Sequence, residues 1–268
     1  MKLRDRFWLW GHPEGRYNNN EENFGLMEDS RMTPMECCLY LGVPNTFMVP
    51  VGWQVNRRQY NKSFKTLKNV GWEFFRKINT PELIEDYIAE AREFPNISCV
   101  VFDDFKFNMK KHSYDELKKN LTEVISRLHN NELKRLDAWM VLYTHEFGVD
   151  GELDREFQPI MDLFDGIIMW NWEESHYKEI PEKFECFKTL TSKNRRMLGC
   201  YLYNFGESRQ ATGEAVRYQL DRYREWILAG EAEGVVLHTN TMADLDYEAY
   251  DACLDWMALH GDEEVADI

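Results

Sequence analysis

Eight short apolar runs, rich in Val, Ile, Phe, Tyr and Trp, alternate with helical patterns along the whole chain. This alternation is typical of βα units that build a parallel sheet. The predicted strands are 7–10, 46–51, 72–78, 99–102, 138–143, 166–170, 197–203 and 235–238. Dividing the 268 residues by eight gives about 33 per unit, close to the ~30 residues of a βαβ unit. The sequence therefore predicts an α/β fold, a single (β/α)8 TIM barrel that forms one domain over residues 1–268.

Helix starts are marked between the predicted strands. Thr33 and Thr80 each stand before a proline, as capping residues do, and Ser113 begins a capping-box pattern. The structural alternative is a doubly wound open sheet, which usually carries a G-x-G-x-x-G turn after its first strand. Residues 11–15 read Gly-His-Pro-Glu-Gly and do not fit that turn. The polar stretch 17–32 is predicted to be a long loop over the mouth of the barrel.

Composition excludes several classes of protein. Hydrophobic residues make up 44% of the chain, too many for a disordered protein, and no apolar run approaches the ~18 residues of a membrane span. Lys and Arg number 32 against 47 Asp and Glu, a net charge of −15, which disfavours nucleic acid and membrane surfaces as partners. The N-terminus carries no export signal, and the six cysteines show no C-x-x-C spacing. We expect a soluble cytoplasmic protein with reduced thiols and no cofactor.

In barrel enzymes the reacting residues lie at the C-terminal ends of the strands. Here those positions are rich in aromatic, amide and acidic side chains, with Arg76 and Lys77 at the end of the third predicted strand. Aromatic rings stack on the apolar faces of sugars and polar groups bind the hydroxyls, so we expect a small-molecule or oligosaccharide substrate. The alternative for each Trp is an ordinary core position. The candidate substrate-binding residues are Trp10, His12, Trp53, His145, Glu146, Trp170, Asn171, Trp172, Tyr203, Asn204, His238 and Asn240.

The most specific local feature is a pair of acids, Asp103 and Asp104, directly after an apolar strand. Adjacent carboxyl groups do not ionise independently, so the pair is expected to divide into one acid and one anion. Glycoside cleavage requires that division. Glu173, after the sixth predicted strand, is a candidate third catalytic carboxylate. The structural alternatives are that Asp103 binds loop amides while Asp104 is solvated, and that Glu173 favours the start of the next helix.

Several of these segments resemble one family. Asn45-Thr46-Phe47-Met48 and Val101-Phe102-Asp103-Asp104-Phe105 are similar to segments of the O-GlcNAcase and hyaluronidase-type hexosaminidases, and weaker similarities follow at 144–146, 169–171, 203–205 and 240–242. The resemblance implies substrate-assisted hydrolysis of N-acetylglucosaminides. By the same resemblance Asp103 would orient the 2-acetamido group, Asp104 would protonate the leaving oxygen, and Asn204 would bind sugar hydroxyls. The broader expectation is a glycoside hydrolase acting on a neutral or N-acetylated sugar.

Two other functions stay open. His12, His145 and His238 fall at predicted strand ends and, with Glu146 or the acid pair, could build the metal site of a barrel hydrolase or isomerase. The spacing does not favour it, because the chain lacks a His-x-His after the first strand and any His-x-x-x-His pair. We therefore expect no metal. The second alternative is a carbohydrate-binding barrel that has no catalytic activity.

Overall fold

The computed structural model describes residues 1–26, 28–74, 80–106 and 113–267, in which eight parallel strands close into a barrel. The strands are β1 (Phe7–Gly11), β2 (Asn45–Met48), β3 (Asn69–Glu73), β4 (Ile97–Phe102), β5 (Asp137–Tyr143), β6 (Gly166–Trp170), β7 (Arg195–Tyr201) and, after a small hairpin, β10 (Gly234–His238). Each strand pairs in parallel with the next barrel strand along the chain, and β1 closes the ring against β10. The predicted (β/α)8 barrel is confirmed.

An α-helix follows each barrel strand within the described residues. The helices are α1 (Pro34–Leu41), α2 (Arg57–Ser63), α3 (Ile84–Glu93), α4 (Tyr114–His129), α5 (Gly151–Met161), α6 (Ile180–Leu190), α7 (Gly213–Leu228) and α8 (Glu248–His260). Two predicted caps are present, because the side chains of Thr33 and Ser113 accept hydrogen bonds from backbone amides of the first turn. In the described part of the chain, no helix combines the length and the apolar character needed to cross a membrane.

Large side chains inside the barrel lie against small residues on the neighbouring strand. Trp170 ends β6 and is 1% exposed. A Cβ atom at Gly199 of β7 would stand only 2.0 Å from the indole ring of Trp170. Glycine is therefore required beside this ring, since any larger residue would displace it. The packed core thus continues to the C-terminal end of the barrel, where it supports the loops that follow the strands.

The predicted strands differ from the observed ones mainly at their ends. The predicted strand 197–203 is too long, because β7 ends at Tyr201 and the chain then turns back. Tyr203–Asn204 (β8) pairs antiparallel with Arg209–Gln210 (β9) in a two-stranded hairpin. Similarly, β2 ends at Met48, three residues before the predicted end, and the predicted third strand runs into residues 75–79, which lie outside the described residues. These shifts decide which side chains point into the barrel mouth.

Candidate functional site

A cavity of about 120 Å³ lies at the C-terminal ends of the barrel strands, where barrel enzymes place their active sites. It is smaller than the roughly 300–1,000 Å³ of pockets for drug-sized ligands, so it suits one small ring. The cavity is lined by Trp10, His12, Tyr17, Glu22, Phe24, Val51, Asp103, Asp104, Tyr143, Trp170, Trp172, Tyr201, Phe205 and His238. Seven of the residues predicted for the site are therefore brought together: Trp10, His12, Asp103, Asp104, Trp170, Trp172 and His238.

One side of the cavity, here called the carboxylate wall, consists of Asp103, Asp104 and Tyr143. Both aspartates directly follow β4 and are half-buried. The backbone N–H of Asp104 donates to Oδ1 of Asp103 over 3.0 Å, and the Tyr143 hydroxyl donates to Oδ1 of Asp104, also over 3.0 Å. Tyr143 and Tyr201, the last residues of β5 and β7, both pack edge to face against Trp172, with ring centroids 6.0 and 5.7 Å away. A chain of hydrogen bonds thus runs from Tyr143 at the end of β5 through Asp104 to Asp103.

The backbone at the acid pair is unusual. Asp104 has φ 47°, in the left-handed region that non-glycine residues occupy infrequently. Such a conformation costs about 1–3 kcal/mol and occurs most often at functional sites. At this position it turns the chain sharply after the strand, so that both consecutive carboxylates reach the same cavity.

The opposite side, here called the imidazole wall, consists of His12 and His238, at the ends of β1 and β10. Their Nε2 atoms are 3.3 Å apart. The Nδ1 atom of His12 lies 2.6 Å from the Val49 carbonyl oxygen, which can only accept, so Nδ1 carries the proton and Nε2 is the acceptor. Burial lowers the pKa of His12 to about 4 and holds the pKa of His238 well below its usual range. Both rings are therefore neutral at physiological pH.

Aromatic rings form the bottom of the cavity between the two walls. Trp10 and Trp170 meet edge to face with ring centroids 5.6 Å apart, and Tyr201 packs 4.7 Å from Trp170. Trp172 stacks on Phe205 at 6.0 Å. Trp10 and Trp170 are buried and Trp172 is half-buried. The first two therefore belong to the core as well as to the cavity, whereas Trp172 has ring surface available to a ligand.

Residues 17–24 form a roof over the cavity, as predicted for the loop 17–32. Tyr17, Glu22 and Phe24 of the roof line the cavity from above. The Tyr203 hydroxyl donates to the Phe24 carbonyl oxygen over 2.7 Å, and the buried Arg16 guanidinium bonds to Glu22. The roof is thus attached both to the hairpin after β7 and to the chain after β1.

Three predicted amides do not line the cavity. Asn171 accepts from the Thr144 hydroxyl, Asn204 accepts from the backbone of Glu207, and Asn240 accepts from the backbone of His12. All three asparagines are buried. Their side chains hold the loops after β6, β7 and β10, and this is a structural role in place of the predicted binding of sugar hydroxyls.

Four more predicted residues also lie outside the cavity lining. Glu173 forms an ion pair with His176 over 3.1 Å, and its backbone precedes a short 3₁₀ turn, as in the structural alternative. His145 is exposed, and its ring stacks on the ring of Tyr143. Glu146 accepts from the backbone N–H of Tyr143, and Tyr203 holds the roof.

The remaining predicted positions lie elsewhere. Trp53 is exposed and lines a neighbouring groove. Arg76 and Lys77 fall outside the described residues. The three histidines of the metal-site alternative do not line one cavity, because His12 and His238 line the central cavity and His145 lines a different depression. In the described ranges, no group of three or more His, Cys, Asp or Glu side chains is arranged to hold a metal ion.

Sequence reasoning missed Tyr143, Tyr201, Phe205 and Val51 as lining residues, together with Tyr17, Glu22 and Phe24 of the roof. Tyr143 and Tyr201 are the last residues of β5 and β7. Attention to the final residue of each strand, rather than to the residues after it, would have found both. The roof residues have no such signal, because their position depends on how an irregular loop folds back over the barrel.

No protein-family model and no curated protein matches the chain. Among solved structures, active domain 2 of a thermostable chitinase from Pyrococcus furiosus is similar, with TM-score 0.59 and 12% identity over 97% of each chain. The GH5_18 protein of Bifidobacterium longum subsp. longum has TM-score 0.60 and 10% identity over 98% of this chain and 81% of its own. Tryptophan synthase from M. tuberculosis has TM-score 0.52 and 12% identity over 97% and 95%.

At these identities the likeness establishes the barrel fold alone. The neighbours include glycoside hydrolases, and they also include an enzyme of different chemistry. The specific resemblance to hexosaminidases is not confirmed by them.

Proposed function

We propose that this protein is a glycoside hydrolase that acts on a neutral or N-acetylated sugar through Asp103 and Asp104. The observation that carries the proposal is the position of two consecutive carboxylates on one wall of an aromatic-lined cavity at the C-terminal end of the barrel. A general acid and an anion within one small cavity are the two groups that glycosidic cleavage needs. The six cysteines are unpaired, as expected for the cytoplasmic location that we include in the proposal.

The cavity also suits an uncharged sugar in its size and polarity. Trp172 offers a ring for stacking against the apolar face of the sugar. The neutral imidazoles of His12 and His238 can exchange hydrogen bonds with hydroxyl groups and add no charge. Roof residues line the cavity from above, and a sugar bound beneath them would be partly shielded from water, which strengthens electrostatic interactions.

The proposed reaction begins with proton transfer from Asp104 to the glycosidic oxygen. The bond from C1 to that oxygen breaks, and the leaving group departs as a neutral alcohol. With an N-acetylated sugar, the acetamide oxygen attacks C1 while Asp103 accepts a hydrogen bond from the acetamide N–H. Water then opens the cyclic intermediate and returns a proton to Asp104. With a neutral sugar, water attacks C1 directly and gives a proton to Asp103, and proton exchange with solvent then restores the proton on Asp104 and the anion on Asp103.

Tyr143 has a supporting part in this scheme. Its hydroxyl donates to Asp104 over 3.0 Å, so it fixes the direction of the acid and stabilises the anion that remains after proton transfer. The bond from the Asp104 amide to Asp103 likewise favours negative charge on Asp103. Because both bonds favour ionised carboxylates, it is repulsion between the two adjacent acids that keeps a proton on Asp104 in this scheme.

The test compares two glycosides after substitution of each aspartate. Asp104→Asn removes the proton donor and should lower kcat/KM by about 10²-fold or more for a substrate with a poor leaving group. An activated aryl glycoside needs little protonation and should lose much less. Asp103→Asn should impair both substrates. If both variants retain full turnover of every active glycoside, the pair is structural and the proposal is wrong. Sugar binding without turnover by the wild type would favour the non-catalytic alternative.

A thiazoline that mimics the cyclised acetamide separates the two versions of the reaction. If the acetamide of the substrate takes part, the thiazoline should inhibit strongly, because it resembles the intermediate. If it does not inhibit while turnover persists, water attacks directly and the hexosaminidase-like version is excluded.

A further inference from the structure

A second, larger depression adjoins the central cavity on the side of β2 and β3. Its volume is about 620 Å³, several times that of the central cavity. In the residues that the structure describes, its walls include Trp53, Gln54, Arg57, Trp72, Glu73 and Tyr87. This depression, here called the β2–β3 groove, is not used by the chemistry proposed above.

Trp53 presents its indole ring to this groove. The side chain is 40% exposed, which is unusual for Trp in a folded protein. The Arg16 guanidinium lies 5.6 Å from the centre of the Trp53 ring, close enough for a cation–π contact. The ring is therefore held on one face by Arg16 and remains accessible elsewhere.

The turn that carries Trp53 is strained, and a hydrogen bond to β3 holds it in place. The Trp53 N–H donates to the Pro50 carbonyl over 3.0 Å, and the two residues between them, Val51 and Gly52, have φ values of 50° and 83°. A β-branched residue such as Val51 pays a substantial cost in this left-handed region. The Val51 N–H donates to Oε2 of Glu73 over 3.1 Å, which ties the turn to β3. This turn holds Trp53 in a defined position.

The groove and the central cavity share a boundary. Val51 lines the cavity, whereas its neighbours Pro50 and Gly52 line the groove. Arg16 also stands between them, with its guanidinium 5.1 Å from the Tyr17 ring on the cavity side. The cavity and the groove therefore lie side by side, with Val51 and the Arg16 side chain between them, so that one extended ligand would contact both.

We propose that the β2–β3 groove binds further sugar units of an oligosaccharide whose reacting unit occupies the central cavity. Trp53 stacks against one of these units, and the polar side chains of Gln54 and Glu73 lie in the groove to meet hydroxyl groups. This inference rests on the proposed function, because that function identifies the sugar unit in the central cavity. The substrate class is then an oligosaccharide rather than a small glycoside.

The experiment measures affinity by calorimetry, so it does not depend on turnover. The Asp104→Asn protein is titrated with one-, two- and three-unit members of two β-1,4 series, one of glucose and one of N-acetylglucosamine. In at least one series the three-unit ligand should bind about tenfold more tightly than the single unit, as expected for burial of an aromatic anchor. Adding Trp53→Ala should remove that gain, and Trp53→Phe should restore most of it.

Tyr40→Ala is the matched control, because Tyr40 is an aromatic residue of α1 with 41% exposure that lines neither depression. It should leave the dependence of affinity on chain length unchanged. The inference is overturned if neither series binds, if affinity is independent of length, or if Trp53→Ala retains the gain. Chain-length-dependent binding by a wild-type protein that hydrolyses nothing would uphold the groove and refute the proposed hydrolase activity, so the two failures are distinguishable.

Discussion

The two walls of the central cavity place ionisable groups in very different surroundings. His12 and His238 on the imidazole wall are buried, and burial depresses the pKa of each ring so that both are neutral. Asp103 and Asp104 on the carboxylate wall are half-buried and accept hydrogen bonds from an amide and a hydroxyl. Burial without a charged partner holds the two imidazoles neutral. In the proposed reaction, proton transfer belongs to the carboxylate wall, and neutral hydrogen bonding belongs to the imidazole wall.

The largest expected effect tests the neutrality of the imidazole wall. An unfolded His12 takes up a proton as the pH falls through about 6.5, but the folded His12 does so only near pH 4. The unfolded state therefore binds more protons in this window, and stability is lost as the pH falls. His12 alone should reduce the free energy of unfolding by about 2 kcal/mol between pH 7.5 and pH 5.

Urea denaturation at the two pH values measures this loss. The His12→Gln side chain keeps a donor for the Val49 carbonyl and does not titrate. Between pH 7.5 and pH 5, the free energy of unfolding of this variant should therefore fall by about 2 kcal/mol less than that of the wild type. Equal losses in the two proteins would mean that His12 is not held neutral.

The next effect concerns the carboxylate wall. Tyr143→Phe removes the hydroxyl that donates to Asp104 and should lower kcat/KM by about tenfold. The lost donor favoured the ionised carboxyl, so the alkaline limb of the kcat/KM profile should move to higher pH. Tyr201→Phe leaves the Tyr143 hydroxyl in place and should have a smaller effect. A profile that keeps its shape in both variants would show that the tyrosines serve packing only.

The smallest effect is expected outside both walls. Glu173 pairs with His176 and does not line the cavity, so Glu173→Gln should keep kcat/KM within about twofold of the wild type. The same isosteric change at Asp104 supplies the comparison. A loss at Glu173 as large as that at Asp104 would mean that a third carboxylate takes part in the reaction.

The barrel was predictable from sequence because its determinants are local and repeated. Apolar runs at regular intervals and caps such as Thr33 and Ser113 fix where strands and helices begin. The acid pair was predictable for a similar reason, since it directly follows a strand. The ends of β2 and β7 were harder to predict, because the apolar runs in the sequence continue past the turns that end these strands at Val51 and after Tyr201.

The rest of the cavity depends on contacts between distant parts of the chain. Asn240 has a side chain suited to binding sugar hydroxyls, yet its carbonyl oxygen accepts from the backbone N–H of His12 at the other end of the chain, whereas Asn204 accepts from Glu207 within a local turn. Glu22 and Phe24 reach the cavity because Arg16 and Tyr203 hold the roof. No periodicity encodes such pairings, so sequence reasoning alone does not find them.

The contact of Trp170 with Gly199 restricts how the sequence around this cavity can change during evolution. Because a methyl group at position 199 would overlap the indole ring, any larger residue at position 199 requires a smaller side chain at position 170. Divergent descendants of this chain that keep Trp170 would therefore have to keep Gly199. A large ring ending the sixth barrel strand and a glycine within the seventh therefore form a two-position signature by which distant relatives could be detected after overall identity has decayed.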